Sequence, residues 1–145
     1  MNNKLELVTI LIGVGLALLV SLIMCSQCNL FAEWRITPKS FLYSIAYLFV
    51  FLWEMIKSNL DVAFRVLSPS LPIKPGIVTV KTKLKSKMGK LLLANSITLT
   101  PGTLTVDIKD DLLYIHWIDV KDTDIEAATK DIVSKFEKYL EVIYG

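Results

Sequence analysis

Hydrophobic and polar positions divide the chain into an apolar N-terminal part and an alternating C-terminal part. Residues 7–25 contain no charged side chain. As a helix with a rise of about 1.5 Å per residue they reach roughly 28 Å, close to the thickness of a bilayer core. We predict a transmembrane helix over about residues 5–25; the alternative is a buried helix of a soluble core. No small-residue cleavage site follows, so we expect the segment to be retained.

A second helix is predicted over residues 38–67. Residues 40–53 are uncharged, Thr37 suits the N-cap, and Pro38 suits the first helical position. The pattern continues as an amphipathic segment and stops at Ser68-Pro69. We expect a membrane-crossing helix whose C-terminal end lies on a partner or on lipid headgroups. The flanking Lys and Arg residues favour both termini on the cytoplasmic side of the cell membrane.

Beyond the second helix, short segments replace the long apolar runs. Residues 69–76 are rich in proline and predict a linker, and residues 77–84 alternate like a strand. Apolar and other residues then fall at helical spacing from Met88 to Leu99, and Pro101-Gly102 is a stop signal. Within that segment SITLT (96–100) fits a strand nearly as well, but the length of the unbroken segment favours a helix.

The C-terminal third predicts a hairpin and an amphipathic helix. Residues 103–108 and 112–120 alternate on either side of a turn. A capping box beginning at Thr123 opens the last helix, and its apolar stripe continues to Ile143. The first hairpin strand is expected to place these residues on one face: Leu104, Val106 and Ile108.

The order of elements indicates a membrane α-helical anchor of two spans followed by a small α+β domain, β-α-β-β-α, ferredoxin-like without its last strand. The first strand–helix–strand unit is expected to be parallel and right-handed. The predicted boundaries are 1–68 for the anchor, 69–76 for the linker and 77–145 for the α+β domain. Helices cover one face of the sheet, so membrane helices or neighbouring subunits are expected to cover the other.

Composition and charge narrow the functional class. The chain is 53% hydrophobic with a net charge of +2, so bulk charge does not indicate nucleic-acid binding. Local charge does stand out, because five lysines occur in ten residues without an acid among them. Two interpretations are open, contact with anionic lipid headgroups or a solvated strand edge. No aromatic residue interleaves with these lysines, so no nucleic acid is expected. They are Lys81, Lys83, Lys85, Lys87 and Lys90.

Few residues indicate chemistry, and we expect no catalytic residue, no cofactor and no metal site. Cys25 and Cys28 have CxxC spacing but lack a second pair. His116 is the single histidine. Glu54 follows the apolar part of the second helix, where a carboxylate needs a partner; Lys57 or a neighbouring membrane subunit would supply one. Four aspartates near the hairpin fit surface and turn positions better than a cation site. They are Asp107, Asp110, Asp111 and Asp119.

Four runs of sequence resemble a known family. SNLDVAFRVLSP, IKPGIVTVKTKL, ANSITLTPGTLTVDI and LYIHWIDV look like the E subunit of multisubunit Mrp-type sodium/proton antiporters. The equivalent subunit of archaeal membrane-bound hydrogenases and related sulfur-reducing complexes is similar as well. The resemblance covers roughly residues 40–145 and is most specific in LTPGTLTVDI followed by LYIHWIDV. It implies structural or interface roles at matching positions: Glu54, Asn59, Pro75, Gly76, Thr98, Thr100, Pro101, Gly102, Thr103, Asp107 and His116.

The resemblance implies a noncatalytic accessory subunit of a monovalent cation (sodium)/proton antiporter, with other integral membrane subunits as partners. Two helices cannot enclose a gated ion path, so the path is expected in larger subunits. The alternative host is a hydrogenase or related redox complex that pumps protons or sodium. A hypothesis of another class is a stand-alone membrane-tethered module that binds lipid or nucleic acid through its lysines.

Overall fold

The computed structural model describes residues 3–27, 33, 35 and 37–145, with side chains described for residues 8–23 of the first segment. The chain forms two compact units, residues 1–33 and 34–145. Helix α1 (Asn3–Gln27) belongs to the first unit, and its described side chains are exposed throughout. The helix predicted here is confirmed, whereas its passage through a membrane stays a prediction. The predicted CxxC pair lies outside the described residues, which include neither the Cys25 side chain nor Cys28.

Helix α2 (Pro38–Leu67) has the predicted bounds. The backbone amide of Ser40 donates to Thr37 Oγ1 at 3.1 Å, and Pro38 fills the first helical position. The helix ends at Ser68, whose amide donates to the carbonyl of Arg65 at 3.2 Å. Among the described residues, α2 is the one helix long and apolar enough to cross a membrane by length and composition.

The sheet has three strands, β1 (Gly76–Lys81), β2 (Thr103–Lys109) and β3 (Leu112–Trp117). Their order is β1-β3-β2, and both neighbouring pairs are antiparallel. The strands β1 and β2 therefore run in the same direction, as predicted, but β3 lies between them and they do not pair. The ferredoxin-like class stays a prediction. Beyond β3, the amide of Val120 donates to the carbonyl of Lys74 at 2.9 Å, which anchors the end of the linker.

A β-bulge changes the predicted faces of β2. Its register against β3 shifts between Thr105 and Asp107, so Val106 is an extra residue without a partner of its own. Leu104 pairs with His116, on the face away from the helices, whereas Ile108 pairs with the buried Leu113. The prediction that Leu104, Val106 and Ile108 share one face is therefore wrong, because one inserted residue reverses the alternation that follows it.

The first four residues of the ambiguous segment SITLT are helical, and Thr100 is the C-cap. Helix α3 (Lys87–Leu99) begins at Ser86, whose hydroxyl accepts from the amide of Gly89 at 3.0 Å. It ends directly before Thr100 and the Pro101-Gly102 turn. Proline at this place cannot continue the helical hydrogen bonds. The helix interpretation, which depended on the length of the segment and on this stop signal, is confirmed.

The last predicted helix is two helices, α4 (Ile125–Ile132) and α5 (Ser134–Tyr144). Its cap is Asp124 rather than Thr123, because the Asp124 carboxylate accepts from the amides of Glu126 and Ala127 at 3.0 and 3.1 Å. At the break, the amides of Phe136 and Glu137 both donate to the carbonyl of Val133. The break contains two consecutive buried residues, Ile132 and Val133, and both are β-branched.

One hydrophobic core lies between the sheet and the helices. Its buried residues come from β1, β3 and α3 to α5, and three residues of α2 pack against it: Tyr43, Tyr47 and Phe51. The rings of Tyr47 and Phe51 lie 6.4 and 6.5 Å from that of Phe136. The inner side of α2 is thus part of the same packed unit as the sheet.

Candidate functional site

A cleft of about 410 Å³ lies between α2 and the α+β fold. We call it the α2 cleft. Four elements contribute to it: the C-terminal half of α2, the turn after α3, the end of β3, and the region around the α4–α5 break. Its walls carry four acidic and four basic side chains, which are Glu54, Asp61, Asp119, Asp131, Lys57, Arg65, Lys121 and Lys135.

Glu54 forms an ion pair across the floor of the α2 cleft. Its carboxylate oxygen Oε2 lies 2.9 Å from Lys135 Nζ on α5, whereas Lys57 Nζ is 3.9 Å from Oε1. The Glu54 side chain is 15% exposed and that of Lys135 is 32% exposed. The main partner is therefore Lys135. The interpretation with Lys57 alone is incomplete, because sequence spacing shows i, i+3 neighbours but not the contact between α2 and α5.

Arg65 links three parts of the chain at the other end of the α2 cleft. Its Nε donates to Asp61 Oδ2 at 2.7 Å, one turn earlier on α2. Its Nη1 lies 2.9 Å from Asp119 Oδ2 and donates to the carbonyl of Pro72 at 2.7 Å. A planar guanidinium can hold several acceptors at once. Arg65 thereby ties the end of α2 to the linker and to the segment after β3.

The turn formed by Thr100, Pro101, Gly102 and Thr103 lines the α2 cleft. Thr100 is buried, and its hydroxyl donates to the carbonyl of Ser96. The hydroxyl of Thr103 lies 2.7 Å from the carbonyl of Ile97 and 2.9 Å from that of Thr100. The two threonines thus satisfy carbonyls at the C-terminus of α3, which lack partners within the helix. They close the C-terminal end of α3.

Two separate constraints favour glycine at position 102. Its φ of +92° lies in the left-handed region that side chains disfavour. A Cβ added there would lie 2.9 Å from Ile118 Cγ2 and 3.5 Å from Val62 Cγ2 of α2. The carbonyl of Gly102 also accepts from the amide of Ile118 at 2.8 Å. This turn therefore brings the end of β3 and α2 close together.

The remaining sequence-predicted residues lie outside the cleft lining. Asn59 is exposed and donates from Nδ2 to the carbonyl of Met55 at 2.8 Å. Thr98 accepts from the amide of Thr105 at 3.1 Å and so joins α3 to β2. Gly76 begins β1, where a Cβ would lie 3.1 Å from Val120 Cγ2, and Pro75 precedes it. The structural or interface role expected of these four positions stays a prediction.

Asp107 and His116 do not line the α2 cleft either. Asp107 lies beyond the β-bulge, and its Oδ2 is 3.6 Å from Lys109 Nζ. His116 is exposed on β3, opposite Ile77 and Leu104. The structure therefore brings Glu54 and the Thr100–Thr103 turn together, but it does not bring Asp107 or His116 to them.

The hairpin aspartates do not form a single cluster. Asp110 and Asp111 lie at one end of β3, whereas Asp119 follows its other end and pairs with Arg65. Within the described ranges, no three Asp, Glu, His or Cys residues lie close enough to hold a metal ion. The full length of β3 therefore separates Asp119 from Asp110 and Asp111, although the three residues are close in sequence.

Of the five clustered lysines, Lys90 has intramolecular partners. Its Nζ lies 2.9 Å from Asp111 Oδ1 and donates to the carbonyl of Asp110 at 2.5 Å. The hydrogen bond from Lys90 is the main cause that lowers the pKa of Asp111, and the charge of Lys90 adds to it. The other four are exposed: Lys81, Lys83, Lys85 and Lys87. A lipid contact through these four stays a prediction.

Sequence reasoning missed the contributions of Lys135, Asp131 and Lys121 to the α2 cleft. All three belong to the polar side of helices or turns and carry no motif. A usable signal was present for Arg65 and Asp61, which follow each other at i, i+4. The balance of charges in the α2 cleft, together with its paired side chains, fits a polar packing surface better than an acid–base or nucleophilic site.

The chain is similar to proteins of one family. The sequence profile described as Na⁺/H⁺ ion antiporter subunit matches residues 1–143. The E subunit of the Na⁺/H⁺ antiporter of Bacillus subtilis is 44% identical over 97 residues, which cover 66% of this chain and 60% of that protein. The corresponding E subunit of Alkalihalophilus pseudofirmus is 48% identical over 91 residues, 61% of this chain and 56% of that protein. These matches span less than two thirds of either relative.

A solved structure is also similar. It is a chain of the membrane-bound sulfane sulfur reductase, an archaeal respiratory membrane complex. The identity is 58% and the TM-score is 0.68, over 75% of this chain and 68% of that chain. The similarity therefore supports the same fold for both chains over the matched part.

Proposed function

The chain belongs to the family of Na⁺/H⁺ antiporter E subunits, and on that premise we propose that it is a noncatalytic accessory subunit of a multisubunit monovalent cation/proton antiporter. In this role it supports assembly of the complex and thereby ion transport. Its partners are other integral membrane subunits, which contain the ion path. It acts as a component of a transporter rather than as an enzyme.

The observation that carries this proposal is that the main charged groups in the α2 cleft are paired with one another. Glu54 is engaged by Lys135, and Arg65 is engaged by Asp61 and Asp119. A proton or cation carrier needs a carboxylate that can exchange its partner, whereas the pairs of Glu54 with Lys135 and of Arg65 with Asp119 hold α2 against the fold. Charges that are paired internally and line an open cleft suit a docking surface with complementary polar groups.

We propose membrane attachment through residues 1–68, with residues 69–76 as the linker and residues 77–145 facing the cytoplasm. Helix α1 supplies a crossing, because its 25 residues include an apolar stretch with exposed side chains. The four exposed lysines at the end of β1 and in the segment after it would meet anionic headgroups if that part of the fold approaches the bilayer.

A redox-driven host is the second candidate. The 58% identity to a chain of the sulfane sulfur reductase complex favours it, since that identity exceeds the 44% and 48% found with the two antiporter subunits. In such a complex the chain would have the same accessory role. A stand-alone tethered module that binds lipid or nucleic acid through its lysines remains the candidate of another class.

The test is removal and return of the gene in its own host. Without this chain, the neighbouring membrane subunits are expected not to co-purify, and Na⁺/H⁺ exchange in everted vesicles is expected to be lost. The chain alone in liposomes is expected to exchange no cations. An intact, active complex without the chain, or cation exchange by the chain alone, would contradict the proposal.

A matched pair of variants locates the docking surface. Lys121→Glu reverses an exposed charge in the α2 cleft lining. We expect it to weaken co-purification about fivefold, which corresponds to about 1 kcal/mol. Lys130→Glu makes the same change at an exposed position of α4 outside the cleft lining and serves as the control. Equal yields from the two variants would show that the α2 cleft does not dock a partner.

A further inference from the structure

Helix α2 has an exposed apolar face along its whole length. Phe49 is 68% exposed, Trp53 66% and Phe64 70%, and all three lie on the side opposite the packed residues Tyr43, Tyr47 and Phe51. The face extends from the first turn of the helix to its last. Its other large members are Phe41, Leu42, Ile45, Leu48, Leu52, Ile56, Leu60, Val66 and Leu67.

The opposite side of α2 is occupied by the chain's own fold over the same length. The amide of Arg35, just before the helix, donates to the carbonyl of Ile143 at the end of α5 at 3.0 Å. Further along, the Tyr43 ring lies 6.1 Å from that of Tyr139, and Glu54 pairs with Lys135. Residue numbers rise on α2 as they fall on α5, so the two helices are antiparallel neighbours.

The contacts of α2 continue beyond α5. Near the C-terminus of α2, Arg65 pairs with Asp119, and Val62 approaches Gly102. Contacts with the fold therefore cover positions from the start of α2 to its last turn. No turn of α2 is left that could pass through a bilayer with lipid on all sides.

A crossing of α2 would take the α+β fold into the hydrocarbon with it. The exposed Lys138 and Glu141 of α5 would then lie at membrane depth, where charged side chains are strongly disfavoured. The outer edges of β1 and β2 would expose unpaired backbone groups to lipid, and open sheet edges do not occur there. A perpendicular crossing is therefore incompatible with this packing.

We propose that α2 lies in the plane of the membrane interface, with its apolar face in contact with the acyl chains of a bilayer and the α+β fold on the aqueous side. An amphipathic helix in this position buries its apolar face by roughly 5–10 Å. Here the fold itself supplies the polar side of the helix. The high hydropathy that predicts a crossing is the sum of two apolar faces, one buried in the fold and one facing lipid.

The outer face of α2 has few hydrogen-bonding side chains and has cations at its edge, which favours lipid over a protein partner. A protein interface carries about one hydrogen bond per 100–200 Å². The outer face offers only the amide of Asn59, which already donates to Met55, and the indole N–H of Trp53, a residue that also suits the membrane interface. The cations lie at its edge. Lys39 and Lys57 are five helical turns apart at 3.6 residues per turn, so they share one side of the helix. Both are exposed, which suits headgroup contact by long side chains.

The experiment measures the depth of α2 in the bilayer. Single cysteines are placed in the full-length Cys25→Ser, Cys28→Ser protein at Leu42, Phe49, Ile56 and Leu60, all exposed positions, and spin-labelled in proteoliposomes. Accessibility to oxygen and to a water-soluble nickel complex gives the depth of each label. Leu42 and Leu60 are about 27 Å apart along the helix axis. We expect the four depths to agree within about 5 Å, close to the headgroups.

Two other results would overturn the proposal. A depth that rises to a maximum near Phe49 and falls again, over about 10 Å or more, would indicate a crossing. Labels that are immobile and shielded from both oxygen and the nickel complex would indicate that a protein covers the face. Lys138→Cys on α5 is the control, expected to be fully accessible to the nickel complex in the same protein.

Discussion

The carboxylate of Glu54 and the ammonium of Lys135 lie 2.9 Å apart although 81 positions separate them in sequence. This contact fixes α2 against α5 at the midpoint of α2, between the aromatic packing on one side and the Arg65 pairs on the other. Because both side chains are largely buried, removal of one leaves the other without its charge partner.

Glu54→Gln is expected to lower the free energy of unfolding by about 1–2 kcal/mol. Chemical unfolding of the full chain in detergent, followed by circular dichroism, measures the change. A double-mutant cycle with Lys135→Met isolates the pair, with an expected coupling of about 1 kcal/mol. Asp107→Asn is the control, since its partner Lys109 is 3.6 Å away at an exposed site, and it should change stability by less than about 0.5 kcal/mol.

Gly102→Ala is expected to destabilise the fold by about 1–3 kcal/mol, because alanine at a φ of +92° is strained and its Cβ meets Ile118 Cγ2 at 2.9 Å. Thermal unfolding of the purified variant tests this. Ile118→Ala removes the close contact but not the backbone strain, so Gly102→Ala is expected to cost less in an Ile118→Ala background than in the parent. Gly15→Ala on α1, where nothing lies within 4 Å of the added Cβ, should show no loss.

The pair between Lys90 and Asp111 predicts a pH dependence. The hydrogen bond from Lys90 lowers the pKa of Asp111 below its ordinary value of 3.8. A carboxyl group whose pKa is lower in the folded state stabilises the protein above its unfolded pKa and loses that contribution as the pH falls through the folded value. The melting temperature of Asp111→Asn should therefore lie below that of the parent at pH 7, and the difference should shrink as the pH falls below 3.8. Lys90→Met should behave in the same way; a difference independent of pH would contradict the assignment.

The hydroxyl of Tyr47 on α2 is hydrogen-bonded to that of Ser96 on α3. Tyr47→Phe keeps the aromatic packing with Phe136 and removes this bond, so we expect a loss of about 1 kcal/mol. Tyr43→Phe is the matched control on the same helix, since the Tyr43 ring packs against Tyr139. Equal effects of the two substitutions on the unfolding midpoint would argue that the bond does not contribute.

Local signals in the sequence predicted both limits of α2 and the end of α3, because capping and chain termination act within a few residues. Thr37 and Pro38 mark the start of α2, and Pro101-Gly102 marks the end of α3. The resemblance also directed attention to Glu54 and to the turn at Thr100, which do meet in the α2 cleft.

Features that depend on tertiary contacts could not be predicted from the sequence. The inserted Val106 leaves no trace in a strand that alternates cleanly, and the partner of Glu54 on α5 follows from the packing of two distant helices. The environment that we propose for α2 differs most from the crossing that its sequence predicts. Mean hydropathy cannot distinguish lipid from a protein core, so a helix with both around it has the composition of a membrane span.

The β-bulge at Val106 also affects how copies of this chain meet one another. β2 is an outer strand of the sheet, and a flat outer strand offers unpaired amides and carbonyls to an identical strand of another molecule. The extra residue bends and twists that edge, and the charged Asp107 and Lys109 follow it directly. This edge is therefore less suited to edge-to-edge pairing between copies of the chain.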